Sequence, residues 1–478
     1  MKSLTRLTEP QLEVPWIHVA PGVPYFQTET GESWHPVGHN DALPWPTLAG
    51  LFRRKDLPAV EAYLAHLAAS GVTCLRLMLE YAQGRHRYFE RPAGTFWPAM
   101  VQLWDDLFAL CARYGIRILL TPFDTFWMWR RWKEHPYNAA NGGVCKRRSG
   151  MLTCRETRAA IRRRLLFVTE RWGGSGTLFA WDLWNELHPA YGGDDTGGFD
   201  ELIEDLGDSL RRREVELYGR AHPQTVSFFG PLLVQRPEVT ATAYRHPGLD
   251  FHSTHFYEKG TIDLPRNTVD AAVSVGRLVR AALAEVPPER PFFDSEHGPI
   301  HTFKDHHRTL PAPFDDEYFR HIQWAHLASG GAGGGMRWPN RDPHVLTPGM
   351  HEAQKALAAF LPLVDWRRFR RRNLNQEIGI AGEGRWAGFA CGDDAQAVAF
   401  LLRKDSLDRK GMLRQDADAV RPVLVLPGLA EGRYRVSLWD TVRGEPAGSL
   451  EVARCEGGRL CIQLPPQRTS VALAVGRA

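Results

Sequence analysis

At 478 residues the chain exceeds one ordinary domain and has room for a barrel of roughly 250–400 residues plus one smaller module. Apolar residues at 43% and charged residues at 24% exclude a disordered chain. A formal net charge of +4 is too small at this length to argue for nucleic acid or an anionic membrane, and neither partner is expected.

From about residue 20 to 365, short apolar runs alternate with longer segments of helical period, the βαβα rhythm of a parallel sheet. The first strand is expected at 25–28 or at 34–38. A helix over 57–70 places Val60, Tyr63, Leu64, Leu67 and Ala68 on one face, and Gly71 ends it. The next strand, 72–77, carries Arg76. The stripe Leu103, Leu107, Leu110 and Cys111 repeats the pattern, with Gly115 as the stop and a strand at 116–120. Further strands are expected at 178–183, 226–229, 249–253 and 292–295, and in the glycine-rich run that ends at Met336. That count predicts an α/β fold, a (β/α)8 TIM barrel. Beyond Trp366 the helical period fades into short alternating strands at 397–402, 423–426, 434–439, 450–452, 460–464 and 471–475. These predict a small C-terminal all-β sandwich of about 100 residues. The expected domains are therefore 1–365 and 366–478, with an aromatic junction suited to rigid packing.

The arginine runs 162–164, 211–213 and 367–372 read as solvated helix faces or, for the last, a domain junction. Seven cysteines include no CxxC pair; Cys74 and Cys111 read as reduced core residues. Spacing leaves open whether Cys145 with Cys154, or Cys455 with Cys461, form disulfides. Neither an apolar leader nor a long apolar run is present, so a cytoplasmic protein is expected, with secretion open if a signal segment has been removed. Oligomeric state is left open.

Two motifs carry chemistry. The apolar run ending in Trp184-Asn185-Glu186 delivers a carboxyl group to the C-terminal end of a strand, where barrel enzymes keep their reactive groups. The run ending in Ser295-Glu296-His297-Gly298 delivers a second one, about three strands further round. Retaining cleavage of a glycoside needs two carboxyl groups about 5–5.5 Å apart, one protonated and one ionised. Asn185 suits a hydrogen bond to the sugar 2-hydroxyl. Asp294 competes with Glu296, because one pleat back on a regular strand it shares the same face. The excess of Trp, 16 in all, is compatible with platforms for sugar rings.

These motifs resemble the clan A glycoside hydrolases, particularly the family of cellulases and β-mannanases, glycoside hydrolase family 5. The resemblance covers about residues 20–365 and rests on Trp184-Asn185-Glu186 and Ser295-Glu296-His297-Gly298, with Arg76, His255-Phe256-Tyr257 and Trp338 in support. It implies that Glu186 is the general acid/base and Glu296 the nucleophile. It further implies that Arg76 orients the nucleophile, Tyr257 hydrogen-bonds it, His255 contacts the sugar or the acid/base, and Trp338 floors the cleavage subsite. Two departures stand out: Asp124 where many relatives carry His, and Leu187 where Pro usually follows the Asn-Glu pair. Asp124 is a candidate replacement for the missing His contact. Trp127, in the loop after the third strand, either lines a sugar subsite or packs that loop.

The expected activity is retaining hydrolysis of β-linked oligosaccharides or polysaccharides, of manno or gluco configuration, with no metal or organic cofactor. Two alternatives accompany it. One is a catalytically silent carbohydrate-binding barrel. The other is a metal-dependent barrel hydrolase using His297, His301, His306 and His307, whose spacing matches no HExxH pattern. The C-terminal module is expected to be structural, with aromatics such as Trp439 exposed but too few for a binding face.

Overall fold

The computed structural model describes residues 14–81, 88–300, 309–453 and 458–478. Three short antiparallel strands come first: β1 (Ile17–Val19), β2 (Phe26–Thr28) and β3 (Ser33–Trp34). They are followed by parallel strands β4 (Gly38–Asp41), β5 (Cys74–Met78), β6 (Arg117–Thr121), β7 (Leu178–Asp182) and β8 (Gln224–Thr225), hydrogen-bonded in that order. After Val226 the chain continues into β9 (Ser227–Phe229), which pairs with β10 (His252–Phe256) and through it with β11 (Phe292–His297). Single parallel bridges from His39 and from His297 to Arg337 link β11 back to β4. Neighbouring strands thus follow chain order around eight positions, with one bridged residue rather than a ladder at the last.

Ten helices among the described residues cover or connect these strands. They are α1 (Leu57–Ala69), α2 (Pro98–Arg113), α3 (Thr125–Arg131), α4 (Arg155–Trp172) and α5 (Phe199–Tyr218), then α6 (Gly230–Gln235), α7 (Thr240–Arg245), α8 (Asp270–Glu285), α9 (Ala312–Ala328) and α10 (Pro348–Phe360). In α1 the Asp56 carboxylate accepts the Ala59 N–H at 3.1 Å, and Val60, Leu64 and Leu67 are buried. Gly71 follows at φ +72°, and a Cβ there would lie 2.5 Å from that of Ala358, so glycine meets both the turn and the packing of α10. None of the described helices is long and apolar enough to cross a membrane.

The first parallel strand is β4, not 25–28 or 34–38. Phe26 instead plugs the N-terminal end of the parallel strands, packing edge-on against Phe179 at 5.0 Å, Phe251 at 5.4 Å and Phe293 at 6.4 Å. The apolar runs at 249–253 and 292–295 mark this lower, filled half. The strands themselves run on to Phe256 and His297, through polar residues that belong to the site.

After residue 366 all strands are antiparallel. A six-stranded sheet has the order β12 (Arg372–Asn373), β14 (Trp386–Gly392), β15 (Gln396–Arg403), β20 (Ser470–Arg477), β17 (Arg433–Asp440), β18 (Glu445–Ala453). A three-stranded sheet has β13 (Gly379–Ile380), β16 (Val423–Pro427) and β19 (Arg459–Gln463). Leu401, Leu424, Val436, Ile462 and Leu473 pack together in one apolar cluster. Val398, Phe400 and Ala472 join the larger cluster of the parallel sheet and its helices, with Phe400 near Trp324 at 6.2 Å. Trp439 is not exposed: it is 4% accessible, meets Phe360 at 5.9 Å, and donates its indole N–H to the Ala356 carbonyl at 3.2 Å.

Arg164 also departs from its solvated reading. It is buried, paired with Glu80 at 2.7 Å and Glu90 at 2.8 Å, and ties the segment after β5 to α4. Arg162, Arg163, Arg212 and Arg213 do lie outside, around a groove of about 400 Å³ between α4 and α5. Cys145 and Cys154 are free thiols; Cys455 lies outside the described residues, and the pairing of Cys455 with Cys461 with it.

Candidate active site

Past the end of β7 the chain continues through Leu183, Trp184 and Asn185 to Glu186, whose φ of +51° lies in the left-handed region, uncommon for a residue with a side chain. Two hydroxyls hold this turn: Ser227 Oγ accepts the Glu186 N–H at 3.2 Å, and Thr125 Oγ1 donates to the Glu186 carbonyl at 2.6 Å. On β11 a bulge does the equivalent work. Thr254 pairs with Asp294 and His255 with Glu296, leaving Ser295 as the extra residue. The shift separates Asp294 from Glu296. Asp294 accepts the N–H groups of Phe256 and Glu296 and meets His297 Nδ1 at 2.7 Å, whereas Glu296 turns to Arg76 and Tyr257. The shared face expected of a regular strand is therefore lost, and with it Asp294 as a competitor.

Glu186, His255 and Glu296 are all buried, and one ligand atom from each lies within 4.8 Å of the others. Tyr257 donates its hydroxyl to Glu296 Oε1 at 2.6 Å, and Arg76 Nη1 donates to Oε2 at 3.0 Å. His255 Nδ1 lies 2.7 Å from Glu186 Oε1 and 3.8 Å from Glu296 Oε2. His255 Nε2 is buried without a partner. A bare lone pair costs less there than a bare N–H, so the proton sits on Nδ1, pointing at Glu186.

Arg76 organises the floor. Besides Glu296 it donates to Asp182 Oδ2 at 2.7 Å, to Asn185 Oδ1 at 2.6 Å, to Asn40 Oδ1 at 2.9 Å and to Ser227 Oγ at 3.3 Å. Asn185 is gripped from both ends, since its amide Nδ2 donates to Asp124 Oδ1 at 2.7 Å. Asp124 thus touches the Asn185 side chain, and its place at the end of β6 follows from the bridge between the two residues. Trp338 follows the bridged Arg337 and packs with Trp45, Met78 and Ala42. Trp127 lies on α3, but its side chain is outside the described residues.

Burial dominates the electrostatics. It lifts Glu186 well above the usual carboxylate range, and the charges of Glu296 and Asp124 push it further. Burial also lifts Glu296, but Arg76 and the Tyr257 hydroxyl pull back, leaving it at about 7. The same desolvation drives His255 far below its ordinary value, keeping it neutral. Glu296 therefore ionises before Glu186, whose carboxyl group keeps its proton to higher pH.

Three participants were missed in the sequence. Asn40 was lost with the misplaced first strand. Asp182 was visible as a charge inside an apolar strand, a pattern that demands a buried partner. Ser227 carries no sequence signal. The Glu186–His255–Glu296 triad also offers donors for a metal, but Arg76 already supplies a buried positive charge 3.0 Å from Glu296, which opposes a second cation. Of the histidines considered for a metal, His297 is bound to Asp294; His301, His306 and His307 lie outside the described residues.

The fold is similar to that of a solved structure described as a glycoside hydrolase, with 12% identity, a TM-score of 0.61, and 97% of each chain covered. It is similar to a glycoside hydrolase family 5 protein from Bacteroides vulgatus, with 12% identity and a TM-score of 0.63 over 98% of this chain and 95% of that one. A third likeness is to a family 5 mannosidase from Rhizomucor miehei, at 12% identity and TM-score 0.52, covering 74% of this chain and 99% of that one. No family model and no curated protein matches the chain. At this level of identity the likeness is one of fold, and the chemistry rests on the residues.

Proposed function

We propose that the protein is a retaining β-glycoside hydrolase, with a (β/α)8 barrel over residues 1–365 and a β-sandwich over 366–478. The observation that carries this reading is the buried carboxyl pair, with one ligand atom from each within 4.8 Å and each group held by different partners. Glu296, oriented by Arg76 and Tyr257, attacks the anomeric carbon. The bond to the leaving oxygen breaks, its electron pair stays on that oxygen, and Glu186 delivers the proton. Glu186, now ionised, takes a proton from water as that water attacks the same carbon and releases Glu296.

His255 donates to the ionised form of Glu186, easing the switch from acid to base. Asn185 has one amide hydrogen committed to Asp124 and one free for the sugar 2-hydroxyl, so Asp124 acts as a positioning residue. Trp338 floors the subsite at the bond to be cleaved. None of these steps calls for a cofactor. The perturbed pair argues against a silent sugar-binding barrel, which has no need of one. The named mannosidase among the similar folds supports β-mannosides as the first oligosaccharides to try, with β-glucosides second.

Stereochemistry tests the mechanism. In proton NMR of an aryl β-glycoside digest, the first hydrolysis product is expected as the β-anomer, which mutarotates later. An α-anomer appearing first would refute a double displacement.

A further inference from the structure

The flank of Glu296 away from Glu186 is formed by the ends of β4 and β5 and by the segment after Arg337. Glu186 protonates the leaving oxygen, so the leaving group lies on its side. The opposite flank receives the sugar that forms the glycosyl-enzyme. That flank is built from aromatic side chains. Trp45 packs edge-on against Trp338 at 5.0 Å and against Tyr81 at 5.3 Å, beside Met78. The outer side of Trp45 is covered, because His344 stacks on it at 4.8 Å and 22°, with its own Nδ1 2.9 Å from the Pro339 carbonyl.

The loop that carries Trp45 is pinned at its root. Asp41 accepts the Ala42 N–H at 2.7 Å, the Thr47 hydroxyl at 3.1 Å and the Tyr63 hydroxyl at 2.8 Å. A rigid wall follows rather than a mobile loop. Trp45 is 4% accessible, held among these rings. An aromatic wall suits a sugar ring, whose C–H face packs on carbon.

We infer that Trp45, packed on the Trp338 ring, closes the glycone side of the site, so that the enzyme removes single sugars from the non-reducing end. This rests on the two-carboxylate reading and narrows it to exo action on terminal β-linked residues.

The test uses the intact protein with 4-nitrophenyl β-mannoside and β-mannobioside, and the gluco pair in parallel. Immediate nitrophenol from the monoglycoside, with monosaccharide and a lag in nitrophenol from the bioside, is expected. Immediate nitrophenol with intact disaccharide from the bioside would overturn exo action while leaving the two-carboxylate reading intact. No hydrolysis of any of these, or of longer oligosaccharides, would overturn both. Trp45→Ala is expected to open the wall and release disaccharide directly, whereas an unchanged product pattern in that folded variant would place the block elsewhere.

Discussion

Arg76 is buried against two carboxylates, Asp182 and Glu296, and its charge decides which glutamate of the pair ionises first. Asp182 keeps the guanidinium in place; Glu296 receives what remains of its field. Glu186 lacks that direct contact and stays protonated to higher pH. In the proposed mechanism the active form carries Glu296 ionised and Glu186 protonated. As pH falls through about 7, Glu296 takes up a proton and attack is lost. As pH rises past the higher value of Glu186, the acid is lost. The pH profile of kcat/KM is expected to be bell-shaped, with its acid limb near 7. In Glu186→Gln, assayed on 2,4-dinitrophenyl glycosides that need no acid assistance, the alkaline limb is expected to vanish and the acid limb to stay. Persistence of the alkaline limb would assign it to another group. Both glutamates were legible in the sequence, because each ends an apolar run before a turn. Asn40 and Ser227 were not, since a single polar residue in a strand does not reveal which face it takes or what faces it.

Among the elements, β2 and β11 show how a pattern of apolar residues can mislead. β2 reads as a barrel strand because Phe26 is apolar and flanked by β formers, yet it serves as the plug under the parallel strands. Apolar runs mark where strands are filled, not where they end, so β10 and β11 extend three and two residues beyond the runs that betray them. The bulge at Ser295 has no residue signature, and it separates Asp294 from Glu296, so that Glu296 turns to Arg76 and Tyr257. The plug yields its own prediction. Phe26→Ala is expected to cost about 3–5 kcal/mol of stability, as for other buried aromatics. The site lies at the other end of the strands, so kcat and KM of the folded fraction are expected to stay within about twofold of wild type. A large loss of kcat at unchanged stability, measured by chemical denaturation alongside initial rates, would show that the plug shapes the site itself.

Over the whole molecule, the α/β order and the change to antiparallel strands after Trp366 were legible, because helical and strand periods differ along the chain. The aromatic junction near Trp366 pointed to close packing of the two parts, but the strand that makes the contact was not legible. β15 is buried along its whole length: Leu401 faces the C-terminal cluster, while Phe400 faces the helices of the parallel part. A phenylalanine close to Gly276 of α8 (Phe389) and the indole of Trp439 seal the same contact. A strand covered on both faces reads in sequence as any core strand, and its partners lie far along the chain. This contact gives the C-terminal sheets a structural place against the helices that carry the strands of the site.

The central claim is the division of labour between the two glutamates, and azide rescue of aryl β-glycoside turnover tests it most directly. Glu296→Ala is expected to be inactive until azide is added and then to yield the α-glycosyl azide, because azide enters where the nucleophile stood. Glu186→Ala is expected to keep cleaving good leaving groups and, with azide, to yield the β-glycosyl azide. Near-normal turnover in Glu296→Ala, or a β-azide from it, would contradict the assignment.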